Sequence, residues 1–132
     1  MSRFGYTIVH VPDVRAAVEF YEKAFGLGRR FVDEAGQYAE METGSTALAF
    51  ASEELIAGNF ALEVRHTRAT EAPPAVELAL VDDDVARAHQ QAIAVGAVEV
   101  SPPAQMPWGQ TISYVRDLNG LLVEICSPIG SA

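Results

Sequence analysis

The chain has a single cysteine, Cys126, in 132 residues. This excludes an intrachain disulfide and a cysteine-based metal cluster, and the apolar residues around Cys126 predict a small buried side chain. No apolar run approaches the roughly 18 residues that a membrane-spanning helix needs, and the first residues lack a signal-peptide pattern. We therefore expect no membrane partner, and the cytoplasm is the simplest compartment.

Basic residues are also scarce. The chain has 9 Lys and Arg against 18 Asp and Glu, which gives a formal net charge of −9 at pH 7. Nucleic acid is excluded as a partner because phosphate neutralisation requires basic patches. The acidic balance leaves two interpretations open: ordinary solubility, or attraction of a cationic small molecule.

The remaining composition is that of one globular domain. Hydrophobic residues make up 49% and charged residues 20% of the chain, which is ordinary for a soluble protein. A chain of this length can bury a real core. We expect residues 1–132 to form a single domain.

A repeat is the main organising feature of the sequence. An alternating strand leads into an apolar-faced helix that a glycine ends, and the same pattern returns about 70 residues later. A second match pairs a turn glycine and the strand that follows it in each half. The repeated segments are 6–13 with 76–83, 14–25 with 84–95, Gly26 with Gly96, and 44–50 with 120–126. Because two copies are too few for a solenoid, the repeat predicts a duplicated fold.

We therefore expect an α+β fold of two tandem βαβββ modules, with a curled mixed sheet forming a cup and the helices outside. The N-terminal module covers about residues 1–55, the connection about 56–74, and the C-terminal module about 75–132. Asp13 is the expected N-cap of the first helix. The connection is expected to contain a short strand over 60–65, and another strand is expected over 98–100.

Two segments resemble a known family, the vicinal oxygen chelate superfamily. Residues 11–13 followed by 19–27 resemble its first helix. Residues 108–110 and 114–125 resemble its closing hairpin, although Leu118 and Asn119 replace the Pro-Asp of the usual turn. The resemblance covers essentially the whole chain and implies the fold of glyoxalase I, extradiol dioxygenases and metal-free drug-binding proteins. Because one fold serves many functions, the site must decide between them.

The resemblance also implies four ligand positions, one in the first strand and one in the last strand of each half. In metal-dependent members these positions usually carry His, Glu or Gln. Alignment of the repeats places Tyr6, Leu48, Val76 and Glu124 there. Three of the four cannot bind an ion in the family manner, so we expect no metal and no cofactor. A one-residue shift would turn Glu77 inward. We expect Val76, Leu78 and Leu80 to point inward instead, because burying an unpaired carboxylate costs more free energy.

The expected cup is instead lined by aromatic, aliphatic and a few polar side chains, as in a small-molecule pocket. Glu124 is the most unusual of these, since it lies in an apolar strand where carboxylates are rarely buried without a partner. We interpret it as a partner of Tyr6 or Tyr114, a ligand for a cation, or a base. The expected ligand-binding residues are Tyr6, His10, Leu48, Val76, Trp108, Gln110, Tyr114 and Glu124.

Other polar residues are expected at the surface. Glu40 and Glu42 alternate with apolar neighbours and should face solvent. His66 and His89 lie in polar surroundings and should be exposed.

Two functional classes remain open at this stage. The first is a binding protein of the bleomycin-resistance type that sequesters a planar or cationic antibiotic-like compound without metal. The second is an enzyme of the same fold, a lyase, dioxygenase or isomerase that uses Glu124 as acid or base or has a non-standard metal site. No catalytic residue is assigned beyond Glu124. The resemblance further implies a homodimer with a small-molecule ligand as its other partner.

Overall fold

The structure is a computed structural model that describes residues 1–130. The chain divides into two compact units, Met1–His66 and a second unit that starts at Thr67. We call them the first and second modules. Each contains one four-stranded mixed sheet and a helix packed on one face of it, so the α+β fold of two tandem modules is confirmed.

The first module runs β1 (Tyr6–Val11), α1 (Val14–Phe25), β2 (Gly28–Val32), β3 (Tyr38–Glu42), β4 (Ala47–Ser52) and α2 (Glu53–Ala57). Its strands are ordered β1-β4-β3-β2. The pair β1 and β4 is parallel, and the other two pairs are antiparallel.

The second module runs β5 (Glu77–Val81), α3 (Val85–Ala94), β6 (Val98–Gln105), β7 (Thr111–Arg116) and β8 (Leu122–Cys126). Its strand order, β5-β8-β7-β6, repeats that of the first module with the same parallel and antiparallel pairs. None of the helices within residues 1–130 is long and apolar enough to cross a lipid bilayer.

Local signals in the sequence define the first helix. Asp13 is its N-cap, and its carboxylate accepts a hydrogen bond from the Ala16 amide at 3.1 Å. Gly26 ends the helix in the left-handed conformation, with φ of 69°. The buried Tyr21 ring lies 5.3 Å from the Phe50 ring of β4, which fixes the helix on the sheet.

One expectation about the helix α3 was wrong. His89 is not exposed but buried in α3, where its Nδ1 lies 2.9 Å from Ser113 Oγ and its Nε2 lies 2.7 Å from Glu99 Oε2. Ser113 is fully buried, so this Ser-His-Glu contact connects helix and sheet and gives no access to a substrate. The polar residues next to His89 in the sequence suggested exposure, but they lie on the solvent-facing side of the helix.

Because side chains alternate along a strand, each sheet has two faces. One face packs against α1 in the first module and against α3 in the second. We call the other face of each sheet the open face. Tyr6, Ile8 and His10 share the open face of the first sheet with small residues of β4, as the pairing register of β1 and β4 shows. The open face of the second sheet carries Glu77 and Glu124. The small β4 residues are Ala47, Ala49 and Ala51.

One further expected strand is absent, and another is longer than expected. Residues 60–65 form no strand, and the short helix α2 follows β4 instead, with Ser52 as its N-cap. The strand expected over 98–100 extends to Gln105 through Pro102 and Pro103. Register irregularities between Glu99 and Ala104 accommodate these residues, because proline in a sheet requires an edge strand or a bulge.

Candidate functional site

Glu124 is the centre of a polar cluster on the open face of the second sheet. Tyr114, directly opposite on β7, donates its hydroxyl to Glu124 Oε1 at 3.0 Å. Cys126, two residues along β8, and Glu77 on the neighbouring strand lie close enough to Glu124 for its carboxyl group to shift their pKa values. We call Glu77, Tyr114, Glu124 and Cys126 the Glu124 cluster. The expected partnership of Glu124 with Tyr114 is confirmed.

The pKa values around Glu124 are displaced in one direction. Partial desolvation raises the pKa of Glu77, and the neighbouring Glu124 carboxyl raises it further. Burial and the hydrogen bond to Glu124 raise the pKa of Tyr114 to about 12. The pKa of Cys126 is likewise raised, first by burial and then by Glu124. Each group is therefore biased toward its protonated form, since ionisation would add negative charge beside a carboxyl group.

An apolar groove adjoins this cluster. It has a volume of about 460 Å³ and opens widely to solvent. Glu77 and Tyr114 contribute its polar atoms, and the other lining residues are apolar: Pro74, Ala75, Val76, Val100 and Leu122. A groove with apolar walls and the Glu77 carboxyl group in its lining suits an apolar ligand with a positively charged group.

In the first module, the carboxylates of Glu40 and Glu42 share a basic partner. Arg30 contacts Glu40 at 3.1 Å and Glu42 at 2.8 Å, and Tyr38 donates its hydroxyl to Glu40 at 2.8 Å. Glu40 is buried at 9% exposure, so the expectation that it faces solvent was wrong. In the described part of the chain, no arginine or lysine forms such a pair with Glu77 or Glu124. The second module thus holds two carboxyl groups without a basic partner.

The structure places the other expected site residues as follows. Val76 lines the groove beside Glu77. Trp108 is 62% exposed in the turn after β6, and its indole donates to the buried Gln110 at 2.9 Å. Neither lines the groove. Leu48 is buried on the face of β4 that also carries Phe50 and packs against α1.

Tyr6 and His10 lie at opposite ends of β1. Tyr6 borders a polar surface pocket of about 370 Å³ with Arg3 and Arg30. His10 lines a different cavity, formed with α2 and the segment that follows it. The structure therefore gathers Glu77, Tyr114 and Glu124 into one cluster and gives these two residues other surroundings within the first module.

Comparison with known proteins identifies the family. Residues 3–125 match the family model described as Glyoxalase/Bleomycin resistance protein/Dioxygenase superfamily. The chain belongs to this superfamily. No curated protein is significantly similar to the chain in sequence.

Solved structures share the superfamily fold. A glyoxalase-related enzyme from Fulvimarina pelagi is 21% identical with a TM-score of 0.82, over 97% of this chain and 89% of that chain. TioX from Micromonospora sp. ML1 is also 21% identical, with a TM-score of 0.70 over 96% and 98%. A protein of unknown function from Agrobacterium tumefaciens str. C58 is 23% identical, with a TM-score of 0.77 over 97% and 95%. At these identities the likeness concerns the fold alone.

The strand registers reassign two of the four superfamily positions. Tyr6 lies seven residues before the N-cap Asp13, and Glu77 lies seven before the N-cap Asp84, so Glu77 rather than Val76 matches Tyr6. The run of three aspartates at 82–84 concealed which one is the N-cap.

The last strands differ for a related reason. Ala49 pairs with Ile8 in the way that Glu124 pairs with Ala79, so Ala49 rather than Leu48 matches Glu124. Four residues connect β3 to β4 and five connect β7 to β8, and the turn glycines occupy different places in the two connections. Matching glycine to glycine therefore shifted the alignment by one residue.

The corrected set, Tyr6, Ala49, Glu77 and Glu124, still does not fit a catalytic metal ion. Two positions carry a phenol and a methyl group, and an ion of this family needs imidazole, carboxylate or carboxamide ligands. Within residues 1–130, no group of three or more His, Cys, Asp or Glu is arranged to hold a metal ion.

Proposed function

We propose that the chain is a small-molecule binding protein that sequesters a planar, cation-bearing compound of the antibiotic type on the open face of its second sheet. One observation supports this most: Glu77 and Glu124 are adjacent carboxyl groups without a basic partner in the described chain, beside a largely apolar groove. A cationic group would relieve the repulsion between them, and the groove would cover the apolar part of the ligand.

In the proposed site, different residues contact the charged group and the planar surface of the ligand. The two carboxyl groups would contact the ligand's ammonium or amidinium group through charge-assisted hydrogen bonds. Val76, Val100 and Leu122 would contact its planar surface. Trp108 and Gln110 belong to the same module but lie outside the groove lining, so they would contact only a ligand that extends beyond the groove.

The test is calorimetric titration with bleomycin- and mitomycin-type compounds and with a planar cationic dye such as proflavine. For a compound that binds, Glu77→Gln and Glu124→Gln should each weaken binding by roughly tenfold, which corresponds to one charge-assisted hydrogen bond. Glu34→Gln is the matched control, because it removes the same charge from an exposed turn. Equal affinity of wild type and both cluster variants would refute the site.

The pH dependence of binding gives a second measurement. Because the pKa of Glu77 is raised, this carboxylate is protonated at a higher pH than an ordinary glutamate. Protonation removes the charge that attracts the cation. We expect affinity to fall as pH decreases from 7 to the ordinary glutamate value of 4.5, and Glu77→Gln to flatten this dependence. Affinity that is constant over this range would contradict a role for Glu77.

An acid–base enzyme is the second candidate, and the raised pKa of Glu77 beside Glu124 favours it. Two adjacent carboxyl groups in different environments can divide the roles of acid and base. Mass spectrometry of a bound compound after prolonged incubation distinguishes the candidates. Unchanged recovery supports sequestration. Chemical conversion that Glu77→Gln abolishes while binding persists would support an enzyme.

A further inference from the structure

The first module contains a cavity that the Glu124 cluster does not explain. It has a volume of about 260 Å³ and lies among His10 of β1, the helix α2 and the segment 60–66. Ile56, Phe60 and Val64 are among its apolar lining residues, and His66 and Glu53 supply polar atoms. The cavity is thus large enough for a compound of one or two aromatic rings.

Glu53 and His66 form a pair at this cavity. His66 Nδ1 lies 3.2 Å from Glu53 Oε2, and the side chains are 47% and 13% exposed, respectively. An ionised carboxylate only accepts hydrogen bonds, so at this distance Glu53 favours a proton on Nδ1. In neutral His66 the Nε2 atom is then left as a hydrogen-bond acceptor.

The surroundings restrict the ligand that such an acceptor suits. Glu63 lines the cavity and the chain carries a net charge of −9, so an anionic compound would be repelled. The apolar walls disfavour a strongly polar compound. A neutral compound with an aromatic surface and one hydroxyl donor satisfies both conditions.

We propose that this cavity is a second ligand site, in which His66, oriented by Glu53, accepts a hydrogen bond from the hydroxyl of a neutral phenol-like compound. Phe60 and Ile56 contact the aromatic surface of this ligand. The site belongs to the first module and its occupation does not depend on the function proposed for the Glu124 cluster.

The test uses 2-naphthol and, as a matched compound without the hydroxyl donor, 2-methoxynaphthalene. The chain has three histidines, so their ring signals are readily followed by NMR and can be assigned with single His→Gln variants. We expect 2-naphthol to shift the His10 and His66 signals in a saturable manner. The His89 signal should stay in place, because this residue is buried in the second module.

The preference for the hydroxyl is the decisive quantity. Wild type should bind 2-naphthol roughly twofold to tenfold more tightly than 2-methoxynaphthalene, as one net hydrogen bond predicts. Glu53→Leu should reduce this preference while keeping the binding of the methoxy compound, because it removes the acceptor that holds the ring proton on Nδ1. His66→Gln should weaken the binding of 2-naphthol. Circular dichroism checks that both variants fold.

Three results would overturn the proposal. The first is absence of a shift at His10 and His66 up to the solubility limit of 2-naphthol. The second is equal affinity of the wild type for the two compounds. The third is an unchanged preference in a folded Glu53→Leu variant, which would mean that the pair does not orient an acceptor.

Discussion

The surroundings of individual carboxylates, more than their number, distinguish the two modules. Glu40 is buried against Arg30 and Tyr38, whereas Glu77 lies beside Glu124. A carboxylate with a guanidinium partner is stabilised in its charged form. A carboxylate beside another carboxyl group is destabilised in that form. The same residue type therefore supports the fold in the first module and opposes it in the second.

This difference predicts the effect of Glu77→Gln on stability. A carboxyl group whose pKa is raised by folding destabilises the folded state once it is ionised. The penalty is absent below the unfolded value of 4.5, increases as pH rises, and is complete above the folded pKa. Glu77→Gln should therefore increase the free energy of unfolding at pH 7, by no more than about 0.5 kcal/mol at this exposed position.

Urea denaturation of wild type and variant at pH 7 and pH 3.5 measures this effect. The gain should vanish at pH 3.5, where Glu77 itself is protonated. Glu34→Gln, which removes a charge from an exposed turn, controls for the general effect of a net charge of −9. A loss of stability at pH 7, or a gain as large at pH 3.5, would show that Glu124 does not repel Glu77.

At the scale of the elements, the β7–β8 turn is fixed by an arginine. The Arg116 guanidinium donates to the carbonyl oxygen of Gly120 at 2.8 Å and to that of Glu71 at 2.5 Å. It also donates to the carbonyl oxygens of Arg68 and Ala69. The Asp117 carboxylate completes the turn by accepting hydrogen bonds from the backbone amides of Asn119 and Leu121. The turn therefore remains tight although Leu118 and Asn119 replace Pro-Asp.

Gly120 is required in this turn for two reasons. Its φ of 94° favours glycine, and a methyl group would meet the Arg68 carbonyl oxygen at 2.8 Å and the Ala69 Cα at 2.9 Å. Gly44, in the turn before β4, has a similar φ of 89° but no atom within 4 Å of an added methyl group. Both glycines therefore have a positive φ that would strain alanine, but only Gly120 also lies close to other atoms of the chain.

We expect Gly44→Ala to lower the free energy of unfolding by about 1–2 kcal/mol, the cost of positive φ for alanine. Gly120→Ala should cost more by a further 1–3 kcal/mol or so, the usual range for overpacking. Urea denaturation of both variants gives the difference directly. Equal losses would mean that segment 68–69 moves away from the turn without cost.

At the scale of the whole molecule, each module exposes large apolar side chains. Ile8 and Phe31 of the first sheet are 45% and 42% exposed, and Val76 and Val98 of the second module are 58% and 60% exposed. Burial of such residues is a common reason for association. We therefore propose that the chain forms a homodimer in solution.

Light scattering at micromolar concentration measures the assembly. The chain has a mass of 14.2 kDa, so a dimer should give twice this value. Ile8→Ser, on the open face of β1, should shift the equilibrium toward the monomer if this face takes part. The matched variant Ile129→Ser changes an exposed isoleucine near the end of the described chain and should have a smaller effect. A monomer mass for the wild type would refute the dimer.

The sequence by itself determined the local structure and the repeat. Asp13 and Gly26 mark the ends of α1 through hydrogen bonds within a few residues, so they could be recognised without the tertiary structure. Period-two alternation likewise predicted the strands that form the two sheets. The burial of Cys126 followed from its apolar neighbours. These features depend on contacts that are close along the chain.

Only the tertiary structure decided the register of the two repeats and the partners of the polar residues. The shift from Val76 to Glu77 depends on which aspartate caps α3, and the shift from Leu48 to Ala49 depends on cross-strand pairing. A shift of one residue reverses the face of a side chain. The burial of His89 depends on Ser113 and is not visible in its polar sequence neighbours. Pairings between strands far apart in the chain thus determined which carboxyl groups form the candidate site.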